Sequence, residues 1–296
     1  MNPAENKKMV RKGIENTDAD AYIPCLEDGA AYSDEVKQRA RNIVTTVKDD
    51  YDWSDKDLYP RINKLNSRYW QDDVDALVSA EPDGFVIPKA TSVESTKHLS
   101  EYLSELEAEH GLEDGEIGLI CMIETTRGLR NAYELASCDE RVEGLLFGKE
   151  DYSASLRCLK DDEMRYNSLR SGLDYSRGKV AVDASAADVE AIDGPPFSYE
   201  DETYMFEDCD KSARFGFTGK LVAHPNQVGP ARKGFAPSEE EVDRAKQMLD
   251  LEADAEEHGR AAVGAVESQE VTPPVVDQAR LVLERAEKLG TRESYD

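Results

Sequence analysis

Histidine, paired cysteine and positive charge are all scarce in this chain, and each scarcity removes a class of chemistry. Its 296 residues hold four histidines (His98, His110, His224, His258) and five cysteines (Cys25, Cys121, Cys138, Cys158, Cys209). No H-x-x-x-H or C-x-x-C spacing occurs among them, which disfavours a zinc centre or a dithiol redox site. An odd number of cysteines without such pairs suits free thiols in a reducing compartment. Cys25 and Cys121 lie in apolar, strand-like runs, where a buried thiol behaves as a small hydrophobe rather than a nucleophile. Lys and Arg number 36 against 63 Asp and Glu, for a net charge of -27. A nucleic-acid ligand is not expected, because phosphate neutralisation needs a basic stripe. No apolar run approaches the ~18 residues of a membrane span, and the first residues show neither a signal-peptide core nor an Arg-rich transit pattern. A cytoplasmic protein without a membrane partner is expected.

The acids are spread along the chain instead of forming a tail. At molar salt the Debye length falls to about 3 Å, self-repulsion is screened, and a carboxylate-rich surface stays hydrated. We read this as the cytosol of an extreme halophile. With 39% hydrophobic side chains the chain can bury a large core, in one α/β barrel or in two smaller domains.

Short apolar runs alternate with stretches of helical period. Strands are expected at 21–26, 58–62, 84–87, 117–123, 142–147, 180–182, 191–192 and 220–223, and helices at 33–47, 67–79, 92–109 and 127–136. Such alternation over about 230 residues favours a closed (β/α)₈ barrel, a TIM barrel, over an open sheet. Ser238 followed by Glu241 forms a capping box that opens a further helix. A Pro273-Pro274 break then precedes a last amphipathic helix to Leu289. The expected organisation is a barrel over 1–236 and an appended helical module over 237–296.

In such barrels the active site is built at the C-terminal ends of the strands. Reading those ends gives Glu27 and Asp28, Arg61 and Asn63, Lys89, Glu124 and Thr125, Glu150 and Asp151, Asp193, and His224 with Asn226. In so acidic a chain a carboxylate pair is weak evidence, but a carboxylate closing a run of five apolar residues is costly to desolvate unless a partner meets it. Leu119 to Ile123 ends in Glu124, and the run through Phe147 leads to Asp151. The two acids are 27 positions apart, close to one strand–helix–strand repeat of roughly 30 residues, so they can face one pocket from adjacent parallel strands. Two carboxylates without a His/Cys cluster suit a hard cation, most simply Mg²⁺ with Mn²⁺ as a substitute, which leaves coordination positions open to a 2-oxo acid. Arg61 can fork onto the same substrate's carboxylate, or else pair with the surplus acids.

Leu26-Glu27-Asp28-Gly29-Ala30, Arg61-Ile62-Asn63, Val86-Ile87-Pro88-Lys89, Ile123-Glu124-Thr125-Thr126-Arg127-Gly128, Phe147-Gly148-Lys149-Glu150-Asp151 and Gly219-Lys220-Leu221-Val222-Ala223-His224-Pro225-Asn226-Gln227 together resemble the citrate lyase β-subunit and malyl-CoA lyase group, the HpcH/HpaI aldolases. Six motifs in order along a β/α repeat make the resemblance specific. It implies a TIM barrel, trimeric or hexameric, that binds Mg²⁺ and a CoA thioester. Glu124 and Asp151 would hold the metal, and Arg61 the oxo-acid carboxylate. Glu27, Asp28, Lys89, Gly148 and Glu150 would line the substrate pocket. The implied reaction is reversible C–C cleavage of a 3-hydroxyacyl-CoA bearing a carboxylate, malyl-CoA or β-methylmalyl-CoA, to glyoxylate and acetyl-CoA or propionyl-CoA. Citryl-CoA or citramalyl-CoA cleavage, a CoA-independent aldolase of the same barrel, and a non-catalytic homologue or lyase subunit are the alternatives.

The chain departs from that pattern in three places. Relatives begin with a strand ending in a Phe-x-Pro-Gly-like turn, whereas Met1-Asn2-Pro3-Ala4 stands here, so the first strand is expected to be missing or truncated, or the start misassigned. Relatives' Asp-Leu-Glu-Asp is Cys25-Leu26-Glu27-Asp28, with Pro24 disturbing strand hydrogen bonding. Thr272 stands where relatives carry a lid Asp that donates a proton, with Glu267 and Glu270 as substitutes. Lys149 and Lys220 are read either as contacts to CoA phosphates or as solvated surface cations, and His224 as shaping the last loop.

Overall fold

The computed structural model describes residues 1–15, 17–158, 173–258, 264–266 and 269–292. Its strands are β1 (Asn2–Pro3), β2 (Ala21–Tyr22), β3 (Pro24–Cys25), β4 (Asp57–Leu58), β5 (Gly84–Ile87), β6 (Gly118–Ile123), β7 (Val142–Phe147), β8 (Glu190–Asp193) and β9 (Gly219–Lys220). β1 pairs with β3, single bridges link Cys25 to Arg61 and Arg61 to Val86, and β5 to β9 form a five-stranded parallel sheet in sequence order. β2 and β4 extend the second and third positions. Helices such as Asp34–Asp50, Trp70–Val78, Val93–His110 and Glu202–Arg214 follow the strand positions and cover the sheet. The result is the α/β, TIM-barrel-like succession that the repeat implies.

Two expectations need correction. The barrel is not closed by strand pairing: among the described residues no ladder joins β9 to β1. One hydrogen bond, from the Met1 amine to the Val222 carbonyl at 2.6 Å, spans that seam. The flanking strands are only two residues long, too short to form a ladder of any strength. Residues 180–182, expected as a strand, lie inside the helix Asp174–Ala186. Val180, Ala181 and Ala184 recur there at helical spacing and are buried, while Val182 is exposed.

Proline interrupts the second and third positions without ending the pairing. Pro24 and Pro60 lack N–H donors, but their carbonyls accept from Arg61 and Val86 at 2.9 and 3.0 Å. Strand alternation then sorts side chains into two layers. Ile23, Val86, Ile120, Met122, Leu146 and Leu221 fill the barrel interior. Leu119, Cys121, Ile123, Leu145 and Phe147 face the helices in the larger core. Burial pushes the Cys121 thiol up to about 12, so it is inert at neutral pH. A cavity of about 610 Å³, lined by Asp20, Tyr59, Glu143, Glu190 and Thr218, opens at the N-terminal ends of the strands, away from the strand-end carboxylates.

The helices Glu239–Glu257 and Pro273–Leu289 pack on each other around Ala245, Met248, Val266, Val271, Val276 and Ala279. The expected capping box is present: Glu241 N donates to Ser238 Oγ at 3.1 Å, and Ser238 N to Glu241 Oε2 at 2.8 Å. Arg292 anchors this segment to Asp210 at 2.8 Å. Thr272 is the N-cap of the last helix, and Glu270 is exposed; Glu267 and 259–263 lie outside the described residues. Among the described residues no helix is long and apolar enough to cross a membrane.

Candidate active site

Alternation along β6 puts Ile120 and Met122 in the barrel interior, and two residues beyond Met122 stands Glu124, on the same side and buried. The same parity carries Ile23 to Glu27 through Cys25, and Tyr59 to Arg61. These buried charges therefore converge on the barrel axis at the C-terminal ends of the strands. The register Ile123↔Phe147 places Gly148 beside Glu124, and Gly148 N donates to Ile123 O at 3.0 Å. A Cβ at Gly148 would lie 2.5 Å from Glu124 Cγ, so glycine is required for the carboxylate to occupy its place. Gly148 also starts the short helix Lys149–Ser155, whose first turn carries Glu150 and Asp151.

Arg61 Nη2 lies 2.5 Å from Glu27 Oε2 and 3.5 Å from Asp28 Oδ2. Lys89 Nζ reaches Glu27 at 3.2 Å, Asp28 at 3.3 Å and Asp151 at 3.6 Å, and Lys64 Nζ reaches Glu27 at 3.3 Å. Lys89 has φ +49°, a left-handed conformation that costs a non-glycine residue about 1 kcal/mol or more. That turn aims its backbone N–H at Glu124 Oε1, 3.0 Å away. Burial pushes the Glu124 carboxyl up to about 7; a hydrogen bond with Asp151 adds to the rise, while Arg61 and Lys89 oppose it. Burial opposes the charges on Arg61 and Lys89, but the surrounding acids outweigh it and raise the pKa of both.

The rim thus gathers Glu27, Asp28, Arg61, Lys89, Glu124, Gly148 and Asp151 of the residues expected to form the site. Glu150 is solvent-exposed on the same helical turn as Asp151. Four carboxylates face Arg61, Lys89 and the half-exposed Lys64, which leaves negative charge in excess. Burial, with Asp151 adding to it, leaves Glu124 partly protonated near neutral pH. A divalent cation can replace that proton, so the donor set fits Mg²⁺, which takes one or two protein carboxylates and keeps other positions for water and substrate. Among the described residues no group of three or more His, Cys, Asp or Glu is arranged to hold a metal, so a richer ligand set is not on offer.

Other strand-end residues serve different ends. Asn63 is held by Asp73, its Nδ2 2.6 Å from Asp73 Oδ2, and Arg41 Nε binds the other oxygen at 2.8 Å. Thr125 caps the following helix by accepting from Gly128 N, and His224 caps its own turn by accepting from Asn226 N. Lys149 and Lys220 are neither phosphate contacts nor solvated: both side chains are 2% exposed. Together with Arg177 they surround Asp193 and Asp208. Lys149 Nζ is 2.8 Å from Asp208, Lys220 Nζ is 2.6 Å from Asp193 and 2.7 Å from Asp208, and Arg177 Nη2 is 2.7 Å from Asp193. Burial lowers Lys149 to about 8, with Asp193 resisting; Asp208 falls to about 2 because Lys220 and Lys149 outweigh its burial. Sequence reasoning missed Lys37, Lys64, Arg177 and Asp208. Lys37 is buried and donates to the carbonyls of Leu26, Glu27 and Ala30 at 2.5, 2.7 and 3.1 Å, fixing the loop that presents Glu27. No local pattern marks it, because its partners are backbone atoms.

With this geometry in place, known proteins offer a comparison. Residues 2–225 match the family described as HpcH/HpaI aldolase/citrate lyase. Citrate lyase subunit beta of Escherichia coli (strain K12) is 30% identical over 275 residues, 93% of this chain and 88% of that protein. A (3S)-malyl-CoA thioesterase of Cereibacter sphaeroides is 28% identical over 272 residues, 92% of this chain and 88% of that protein. The crystal structure of protein CitE from Mycobacterium tuberculosis, in complex with magnesium, acetoacetate and coenzyme A, superimposes with a TM-score of 0.77 at 27% identity, covering 96% of each chain. Strand-end acids in an axial, acid-rich rim and a likeness over nearly the whole length agree: the chain belongs to the HpcH/HpaI aldolase/citrate lyase family.

Proposed function

We propose that the protein is a Mg²⁺-dependent carbon–carbon lyase that reversibly cleaves malyl-CoA or β-methylmalyl-CoA to glyoxylate and acetyl-CoA or propionyl-CoA. The observation that carries this reading is buried Glu124 and half-exposed Asp151, both contacted by Lys89, in a rim with more acids than cations around Arg61. Glu124 and Asp151 would hold the metal, which supplies Lewis-acid polarisation of a substrate oxygen when bound. Arg61 offers its guanidinium to the substrate carboxylate. Its Nε is buried and has no hydrogen-bond partner among the described residues, a donor that gains from an added acceptor. Glu27 holds the guanidinium in place, and Lys89 balances the rim acids. In the cleavage direction the substrate hydroxyl gives up its proton, the adjacent C–C bond breaks, and its electron pair passes to the acyl-CoA fragment as a thioester enolate, which then takes a proton. Amides at the start of the helix Lys149–Ser155 are suited to stabilise that enolate. A salt-rich cytoplasm, which the net charge of -27 suits, and a homotrimer or homohexamer complete the reading.

The test is to assay the purified protein with Mg²⁺ or with EDTA against malyl-CoA, β-methylmalyl-CoA, citramalyl-CoA and citryl-CoA, trapping the oxo acid released. Mg²⁺-dependent release of glyoxylate from the first two is expected. Cleavage confined to citramalyl-CoA or citryl-CoA would reassign the substrate, and cleavage of none of the four would overturn the lyase reading.

A further inference from the structure

The charged cluster beside β7 and β8 points to a role for Lys149. We propose that Lys149 is a positioning residue: clamped by Asp208 and Asp193, it fixes the helix Lys149–Ser155 and so sets Asp151 against Glu124. The inference deepens the proposed metal site and rests on that reading for its functional half.

Several contacts hold this helix. At its start, Lys149 Nζ lies 2.8 Å from Asp208 on the helix Glu202–Arg214 and 3.7 Å from Asp193 at the end of β8, and it sits over the Phe197 ring at 5.3 Å. Lys220 and Arg177 lock the same two acids, and Ser212 Oγ donates to Asp193 at 2.8 Å. Gly194 lets β8 close against this turn: a Cβ there would lie 2.4 Å from Phe147 O and 3.1 Å from Lys149 Cγ. At its far end, Ser155 Oγ accepts from Thr126 N at 3.0 Å, and Thr126 stands two residues beyond Glu124. One end of the helix is therefore tied to β8 and its neighbouring helix, and the other to the loop that carries Glu124. Asp151, in the first turn, is roughly half exposed and has no comparable enclosure of its own. Its position follows from the ends.

A side chain that only filled space would be replaceable by an apolar one of similar length. A clamp would not be, and its loss would show at Asp151 before it showed in the rest of the fold. The experiment uses full-length protein as wild type, Lys149→Met, Asp208→Asn and the double variant. Hydrogen exchange of metal-free protein reads amides 150–155 against those of the helix Val93–His110, and calorimetry reads Mg²⁺ affinity. In each single variant, exchange at 150–155 should accelerate at least tenfold with Val93–His110 unchanged. Mg²⁺ should bind at least tenfold more weakly, and kcat should fall by more than KM rises. The double variant should be no worse than the poorer single one, because both break the same contact. Unchanged exchange at 150–155 with Mg²⁺ affinity within twofold of wild type would overturn the proposal, as would fully additive losses. If Lys149→Met does not fold, Asp208→Asn, which changes charge but little volume, carries the same readouts. Wild-type protein that binds no Mg²⁺ while the exchange contrast holds would count against the metal site and leave the clamp standing.

Discussion

Two groups of charges flank the strand ends, and they are opposite in kind. The rim on the barrel axis holds Glu27, Asp28, Glu124 and Asp151 against Arg61, Lys89 and Lys64, an excess of acid. The cluster between the sheet and its helices holds Lys149, Arg177 and Lys220 against Asp193 and Asp208, an excess of base. In the cluster each acid meets at least two cations, and its side chains are at most 3% exposed. In the rim, Asp28 and Asp151 are 60% and 46% exposed, and Glu124 is held partly protonated near neutral pH. An acid saturated with internal cations is committed to the fold. A rim with one buried acid partly protonated and two others open to solvent has capacity for a ligand, and a divalent cation supplies the charge that would hold it.

The largest expected effect breaks the rim. Glu124→Gln or Asp151→Asn should lower Mg²⁺-dependent cleavage by about 10⁴-fold, roughly 5 kcal/mol of transition-state stabilisation, with the circular-dichroism spectrum unchanged; activity within tenfold of wild type in either variant would contradict a rim reserved for the metal. Breaking the cluster should act on stability instead. Asp193→Asn leaves buried cations short of an acid and should cost about 3–5 kcal/mol in denaturant unfolding. Arg61→Lys keeps the charge but loses the planar fork, so kcat/KM should fall about 100-fold, near 3 kcal/mol, with smaller change in melting temperature.

The smallest effect is one of pH, and its sign differs between the two regions. Glu124 binds its proton more tightly in the folded, metal-free protein than in the unfolded chain. Its ionisation therefore removes stability as pH rises from about 4.5 to 7, and the penalty is fully present above that. Metal-free Glu124→Gln should melt higher than wild type at pH 8, by on the order of 2 kcal/mol, with the gap closing near pH 5. Asp208 is shifted the other way, to about 2, so its contribution is complete above the usual carboxylate range and is lost only as pH falls toward 2. Asp208→Asn should accordingly melt lower than wild type at pH 7, and its deficit should shrink only in strong acid.

Much of this was legible in the chain. The apolar run ending in Glu124, the spacing to Asp151 and the strand-end position of Arg61 point to the rim, because a strand places its terminal side chains by simple alternation. The same alternation held a further signal. Glu27, Arg61 and Glu124 share parity with the interior residues Ile23, Tyr59 and Ile120, whereas Asp193 and Lys220 have the parity that faces the helices. Counting parity separates site from cluster. What the chain did not show were the partners. Arg177 and Asp208 lie on helices, and whether they meet Asp193 depends on packing between elements 16 and 15 residues away. Residues 180–182 misled because Val-Ala-Val is a strand-like triplet, and helical burial of Val180, Ala181 and Ala184 overrode it. Closure of the barrel was also out of reach, since it turns on how many hydrogen bonds the two-residue strands β1 and β9 can form.

The most direct measurement is a calorimetric Mg²⁺ titration of wild-type protein and Glu124→Gln at pH 7, repeated in two buffers of different ionisation enthalpy. If the rim is the metal site and Glu124 is partly protonated at pH 7, wild type should bind one Mg²⁺ per chain with net proton release, and Glu124→Gln should bind none at that site. Equal binding by both proteins, with no buffer-dependent heat, would contradict it.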